Sequence, residues 1–128
     1  MFFTLLYNSM VGQSVLTNDD GLIHIDSNAS IYVEGDVQVE NTGVINNSGT
    51  IFVQNNWINN SSFNVFLNSN PGLVEMFGFN QSIGGSTPTR FYNLTALNAS
   101  VKTLEVDTWV ENKLDITDSE ITLNANTL

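Results

Sequence analysis

Ser30-Ile31-Tyr32-Val33-Glu34-Gly35-Asp36-Val37 returns twenty positions later as Thr50-Ile51-Phe52-Val53-Gln54-Asn55-Asn56-Trp57. The octets match class for class: a small hydroxyl, a β-branched Ile, an aromatic, Val, a polar residue, two turn formers and an apolar residue. A strand-and-corner unit recurring at about 20 residues is the signature of a solenoid, where each turn covers an apolar face that its neighbour could not bury alone. Inside the unit the period is two, so Ile31, Val33, Val37 and Val39 face one way and Tyr32, Glu34 and Gln38 the other. The register places Ile51 on Ile31 and Val53 on Val33, at the inter-strand spacing of about 4.8 Å.

Outward from the octets, Leu22 to Ile25, Ser30 to Val33, Asp36 to Val39, Val44-Ile45, Thr50 to Val53 and Trp57-Ile58 read as strands. The spacers between them run from two to four residues, too short for helical crossovers, so each strand must turn a corner into the next. Asn64 to Pro71 is a turn cluster and predicts a longer loop leaving the solenoid between turns. Leu73 to Gly78 and Gln81 to Gly85 resume strands, and Ser86 to Thr89 predicts a second exposed loop. In the last third Phe91, Leu94, Leu97, Val101, Leu104, Val106, Val110, Leu114, Ile116, Ile121, Leu123 and Leu128 are expected inside. The expected fold is all-β, a single right-handed parallel β-helix of about four to five turns. A β-sandwich is disfavoured, since it gains nothing from the repeat. The pattern runs to Leu128 without a polar cap, so residues 15–128 are expected to be a segment of a longer protein.

Met1 to Tyr7 is apolar and is followed by small residues, Asn8 to Ser14, with no preceding Lys or Arg. Residues 1–14 are expected to be a truncated secretory signal, with a first strand or amphipathic cap as the alternative; the run is too short to span a membrane.

Composition narrows the partners. The chain is 41% apolar but only 12% charged, about half the usual share, with polarity carried by Asn, Ser and Thr. Asn tolerates the left-handed conformation and bonds its own backbone, which suits a chain of many corners. Thirteen acids face only Arg90, Lys102 and Lys113, giving a net charge of −10. Three scattered cations cannot supply the footprint that phosphates need, so no nucleic-acid partner and no membrane insertion are expected, and anionic lipid is disfavoured. Zero cysteines exclude disulfides, thiolate metal sites and a thiol nucleophile.

The candidate chemical groups are sparse. His24 has no second His and is expected outward on a strand, so neither a His-based zinc site nor a triad is expected. Asp115, Asp118 and Glu120, or Asp19 and Asp20, could offer oxygens to Ca²⁺, but their spacing matches neither an EF-hand loop nor a calcium β-roll. A glycosidase needs two acids at a set separation. Here Asp36 is replaced by Asn56 one repeat on, as a solvated turn position would be. Asn28, Asn46, Asn59, Asn60, Asn80, Asn93 and Asn98 each open an Asn-x-Ser/Thr triplet, which a stacked asparagine ladder explains without sugar. Tyr32, Phe52, Trp57 and Trp109 are expected to fill the core or cover a sheet face; the alternative is an aromatic strip for carbohydrate. No catalytic, cofactor or metal residue is assigned.

Asn47 to Val53 with Trp57 to Asn60, Val74 to Gly78 with Gln81 to Gly85, Phe91 to Leu94, and Leu114 to Ile116 with Ile121 to Leu123 follow one another as a repeat series. Over about residues 21–128 this series resembles the exported β-solenoid surface proteins of Bacteroidetes, which usually end in a type IX secretion sorting domain or a gliding-motility-associated module. The resemblance implies an extracellular or cell-surface location and no catalytic residues. The expected function is a non-catalytic spacer or adhesive stalk, with neighbouring domains of the same chain and possible surface glycans or proteins as partners. The alternative is a carbohydrate-binding or polysaccharide-degrading β-helix.

Overall fold

The computed structural model describes residues 14–67 and 70–128. The expected signal at 1–14 lies outside them apart from Ser14, which opens the first strand. Thirteen strands and no helix make up the described residues: β1 (Ser14–Asp19), β2 (Leu22–Ile25), β3 (Ser30–Val33), β4 (Gly35–Asn41), β5 (Val44–Asn47), β6 (Thr50–Val53), β7 (Trp57–Ser61), β8 (Leu73–Met76), β9 (Gln81–Gly85), β10 (Thr89–Ala96), β11 (Val101–Leu104), β12 (Thr108–Asp115) and β13 (Glu120–Leu123). Every strand pairing is parallel. The long first face runs β1-β4-β7-β9-β11-β13, the opposing face β3-β6-β8-β10-β12, and β2-β5 form a short face between them. The chain is therefore a parallel β-solenoid of about five turns.

The octet register holds: Ile31 pairs with Ile51, Tyr32 with Phe52 and Val33 with Val53. On the first face one interior column threads Leu16, Val37, Trp57, Ile83, Leu104 and Leu123. On the opposing face Ile31, Ile51, Val74, Leu94 and Leu114 form another. These columns are the core; Val37, Ile51, Trp57, Val74, Ile83, Leu94 and Leu104 are buried. A lone strand would leave such a row half in water, and only the turns above and below complete its burial.

Corners are closed by glycine and buried amides. A Cβ on Gly35 would lie 1.3 Å from the Ser14 carbonyl oxygen of the turn below, so only Gly lets β4 start there. Asn47, inside the corner between the short and opposing faces, accepts the Gly49 N–H at 3.0 Å and donates to the Leu73 carbonyl at 3.2 Å. Asn59 does the same one face away, accepting from Ser61 N–H and donating to the Pro88 carbonyl, both at 3.0 Å. Each amide joins its own corner to the next turn, satisfying backbone groups that a corner takes out of the ladder. Buried Asn59 is thereby unsuited to bear sugar, whereas Asn41, Asn80 and Asn98 hold the positive φ that corners demand.

Several expectations need correction. Gly35 is the first residue of β4, not a spacer. The loop expected over Asn64 to Pro71 does not simply leave the solenoid: Val65 is fully buried and Phe66 bridges Ile45 of β5, adding a third rung to the short face, while residues 68–69 lie outside the described residues. Thr89 is not in an exposed loop; it is buried at the start of β10, and its hydroxyl accepts the Trp57 indole N–H at 3.1 Å. In β11 Lys102 points inward in place of Val101, because strand periodicity pairs Lys102 with Leu104. Ala96 likewise replaces Leu97 inside. Ile116, Leu123 and Leu128 are exposed by 41%, 48% and 42%, since β12 and β13 have a strand on one side only.

Candidate functional site

A polar cleft lies where the short face meets the opposing face, over β10. It holds about 150 Å³ and is lined among others by Asn64, Phe66, Arg90, Tyr92, Asn93 and Glu111. Local irregularity builds it. Between β10 and β12 the register shifts: Phe91 pairs with Val110 but Asn93 with Lys113, so Glu111 and Asn112 oppose the single residue Tyr92. A bulge of this kind bends the ladder and re-aims side chains. It coincides with a corner inside β10, which lets Phe91 and Leu94, an odd three apart, both reach the core. Beneath the cleft, Phe66 stacks on Trp57 with centroids 5.5 Å apart, and Phe91 meets both rings, at 5.3 Å from Trp57 and 5.8 Å from Phe66. The floor is thus rigid and apolar.

The rim is polar. Arg90 lies 3.7 Å from Glu111 and stands over the Trp109 ring, 5.1 Å from its centroid. Among the described residues this one loose contact leaves most of the five guanidinium donors without a partner. Asn93 is committed, donating to the Pro71 and Gly72 carbonyls at 3.1 and 3.3 Å and accepting from Asn112 at 2.7 Å. Among the described residues neither the Tyr92 hydroxyl nor the Asn64 carboxamide has a hydrogen-bond partner. The two formal charges on the rim, Arg90 and Glu111, cancel.

The groups singled out by sequence are dispersed. His24 is exposed on the short face, 3.0 Å from Asp26. Asp115 accepts from the Thr117 N–H and hydroxyl, at 3.2 and 2.6 Å, and meets Lys113 at 3.1 Å; these bonds hold its carboxyl below the usual range. Asp118 and Glu120 line a separate groove with Phe79. Asp20 is held low by the Thr42 N–H and hydroxyl, both at 2.9 Å. Among the described residues no three acids or imidazoles gather as a metal site. Asp36 accepts the Asn56 N–H at 2.9 Å, a corner bond between successive turns.

The four aromatics part company. Trp57 is core, whereas Trp109 is half-exposed beneath the Arg90 guanidinium. Tyr32 and Phe52 stack on the outside of the opposing face, centroids 4.1 Å apart and planes 12° apart, with Phe77 edge-on to both. The Phe52 ring is taken up by its neighbours, which leaves only Tyr32, 67% exposed at the end of the ladder, as a small platform for a sugar.

Sequence reading missed the cleft. Its one signal was Arg90, the sole arginine, but the bulge that brings Glu111 opposite Tyr92 is a pairing property that no local pattern encodes. Buried Lys102 was missed too. Its ammonium donates to the Gly78 and Leu97 carbonyls and to Ser100 Oγ, with no carboxylate among them, and burial lowers its pKa. Comparison with protein families, with curated proteins and with solved structures finds no match to this chain.

Proposed function

We propose that the chain is a non-catalytic segment of an exported cell-surface protein of the Bacteroidetes β-solenoid kind, serving as a rigid spacer or adhesive stalk. The observation that carries this reading is the continuity of the first-face column, paired turn to turn from Leu16 to Leu123 and fully buried from Val37 to Leu104. A rod built this way transmits position along its axis, because each turn is braced by both neighbours. On the cleft rim the carboxylate of Glu111 is set against a guanidinium, an arrangement suited to holding a ligand more than to two-carboxylate hydrolysis. Incubation with a panel of polysaccharides tests the non-catalytic part: unchanged chain lengths are expected, and a reproducible cleavage product overturns it. Protease shaving of intact source cells tests location, with loss of the segment expected and full protection contradicting it.

A carbohydrate-binding β-helix is the second reading. The cleft over β10 favours it more than the aromatic ladder does.

A further inference from the structure

We infer that the cleft over β10 binds a neutral, hydroxyl-rich ring, a single pyranose or furanose unit, through Arg90, Tyr92, Asn64 and Glu111. The proposal deepens the carbohydrate-binding reading and rests on it, and it is independent of the spacer reading.

Size sets the first limit. A volume of about 150 Å³ is below the range of roughly 300–1,000 Å³ in which cofactors and drug-sized ligands sit, and matches one ring. Charge sets the second. A fixed anion would meet Glu111 within a molecule of net charge −10, and a cation would meet Arg90; a neutral ligand meets a cancelled pair. Hydrogen-bonding capacity sets the third. The guanidinium offers donors only, the carboxylate acceptors only, and the hydroxyl and carboxamide both, which is the mixed set that adjacent hydroxyls, each donor and acceptor at once, can saturate. The floor of Phe66 and Val74 gives the C–H face of a ring an apolar seat. Burial also favours a preformed site: Asn47 is 3% exposed beneath the rim and the Trp57, Phe66 and Phe91 rings lock the floor, so little ordering is needed on binding. The fit is to a hydroxylated ring, whether free or at the end of a glycan chain.

The test is a titration of the full chain with glucose, galactose, mannose, xylose and N-acetylglucosamine, alongside galacturonate and glucosamine as charged controls and disaccharides of the neutral sugars. Amide and side-chain NMR shifts are recorded together with Trp109 emission. Saturable shifts centred on Asn64, Arg90 and Tyr92 are expected from at least one neutral sugar. Tyr92→Phe and Asn64→Ala should each weaken binding by roughly tenfold while preserving a folded spectrum, and Tyr32→Ala should leave it unchanged. A disaccharide that binds more tightly than its ring identifies a glycan end as the ligand; equal binding identifies the free sugar. No saturable shift from any neutral sugar, a preference for galacturonate or glucosamine, or shifts centred on Tyr32, Phe52 and Phe77 would each overturn the proposal. The polysaccharide cleavage assay reads the spacer hypothesis separately, so the two can fail independently.

Discussion

Ile51 and Phe52 are neighbours with opposite environments: the first is buried between Ile31 and Val74, the second stacks on Tyr32 outside the sheet. Ile51→Ala should therefore cost about 2–5 kcal/mol, the range for emptying a core site. Tyr32→Ala should cost only about 0.5–1.5 kcal/mol, the worth of an aromatic pair. Urea unfolding of both variants checks the ratio; equal losses would mean that the period of two does not sort inside from outside here. Lys102 gives a pH signature. Its folded pKa is lowered by burial, so between that value and the unfolded value near 10.4 the unfolded chain binds the extra proton and stability rises with pH. The melting temperature of the wild type minus that of Lys102→Met should accordingly climb from neutral toward alkaline pH. A flat difference would show that the ammonium is not desolvated. This position was legible in the alternation of Val101-Lys102-Thr103-Leu104, where Leu104 and Lys102 must share a side; the pull of an apolar Val obscured it.

At the scale of elements, strands were far more legible than the routes between them. β2, β3 and β6 follow directly from short apolar, β-branched runs bounded by turn residues. Successive members of the first-face column lie 21, 20, 26, 21 and 19 residues apart, so the repeat drifts where Val65 and Phe66 are taken into the turn. No local pattern encodes the bridge of Phe66 to Ile45, a contact that goes with the stacking of its ring on Trp57, remote in sequence from Ile45. The cleft shares this fate, since it exists only through the β10–β12 bulge. Gly35 tests the corner argument. Gly35→Ala drives a methyl into the Ser14 carbonyl, and β1 must move away, at a cost of about 1–3 kcal/mol. Hydrogen exchange should show the amides of β1 and the β4 amides facing it losing protection first, while β8 to β11 keep theirs. Uniform loss across all faces would contradict a local clash.

For the whole molecule, stacking in one direction leaves edges. Among the described residues β12 and β13 each pair with a strand on one side only, apart from the Thr108 N–H that donates to the Thr127 carbonyl, and beside the exposed Ile116 and Leu123 such an edge accepts another chain. A net charge of −10 opposes that contact, and salt shortens its reach from about 10 Å at 0.1 M to about 3 Å at 1 M. Light scattering of the 128-residue chain should show association that grows with salt; a monomer at every ionic strength would mean that these edges are covered. The central claim is the parallel stacking itself, and it is tested most directly by cross-strand nuclear Overhauser contacts in the folded chain. The account expects backbone contacts of parallel geometry linking Ile31 to Ile51, Ile51 to Val74, Val74 to Leu94 and Leu94 to Leu114, each to the next and none skipping a turn. Antiparallel contacts, or Ile51 paired with any strand other than those of Ile31 and Val74, would contradict it.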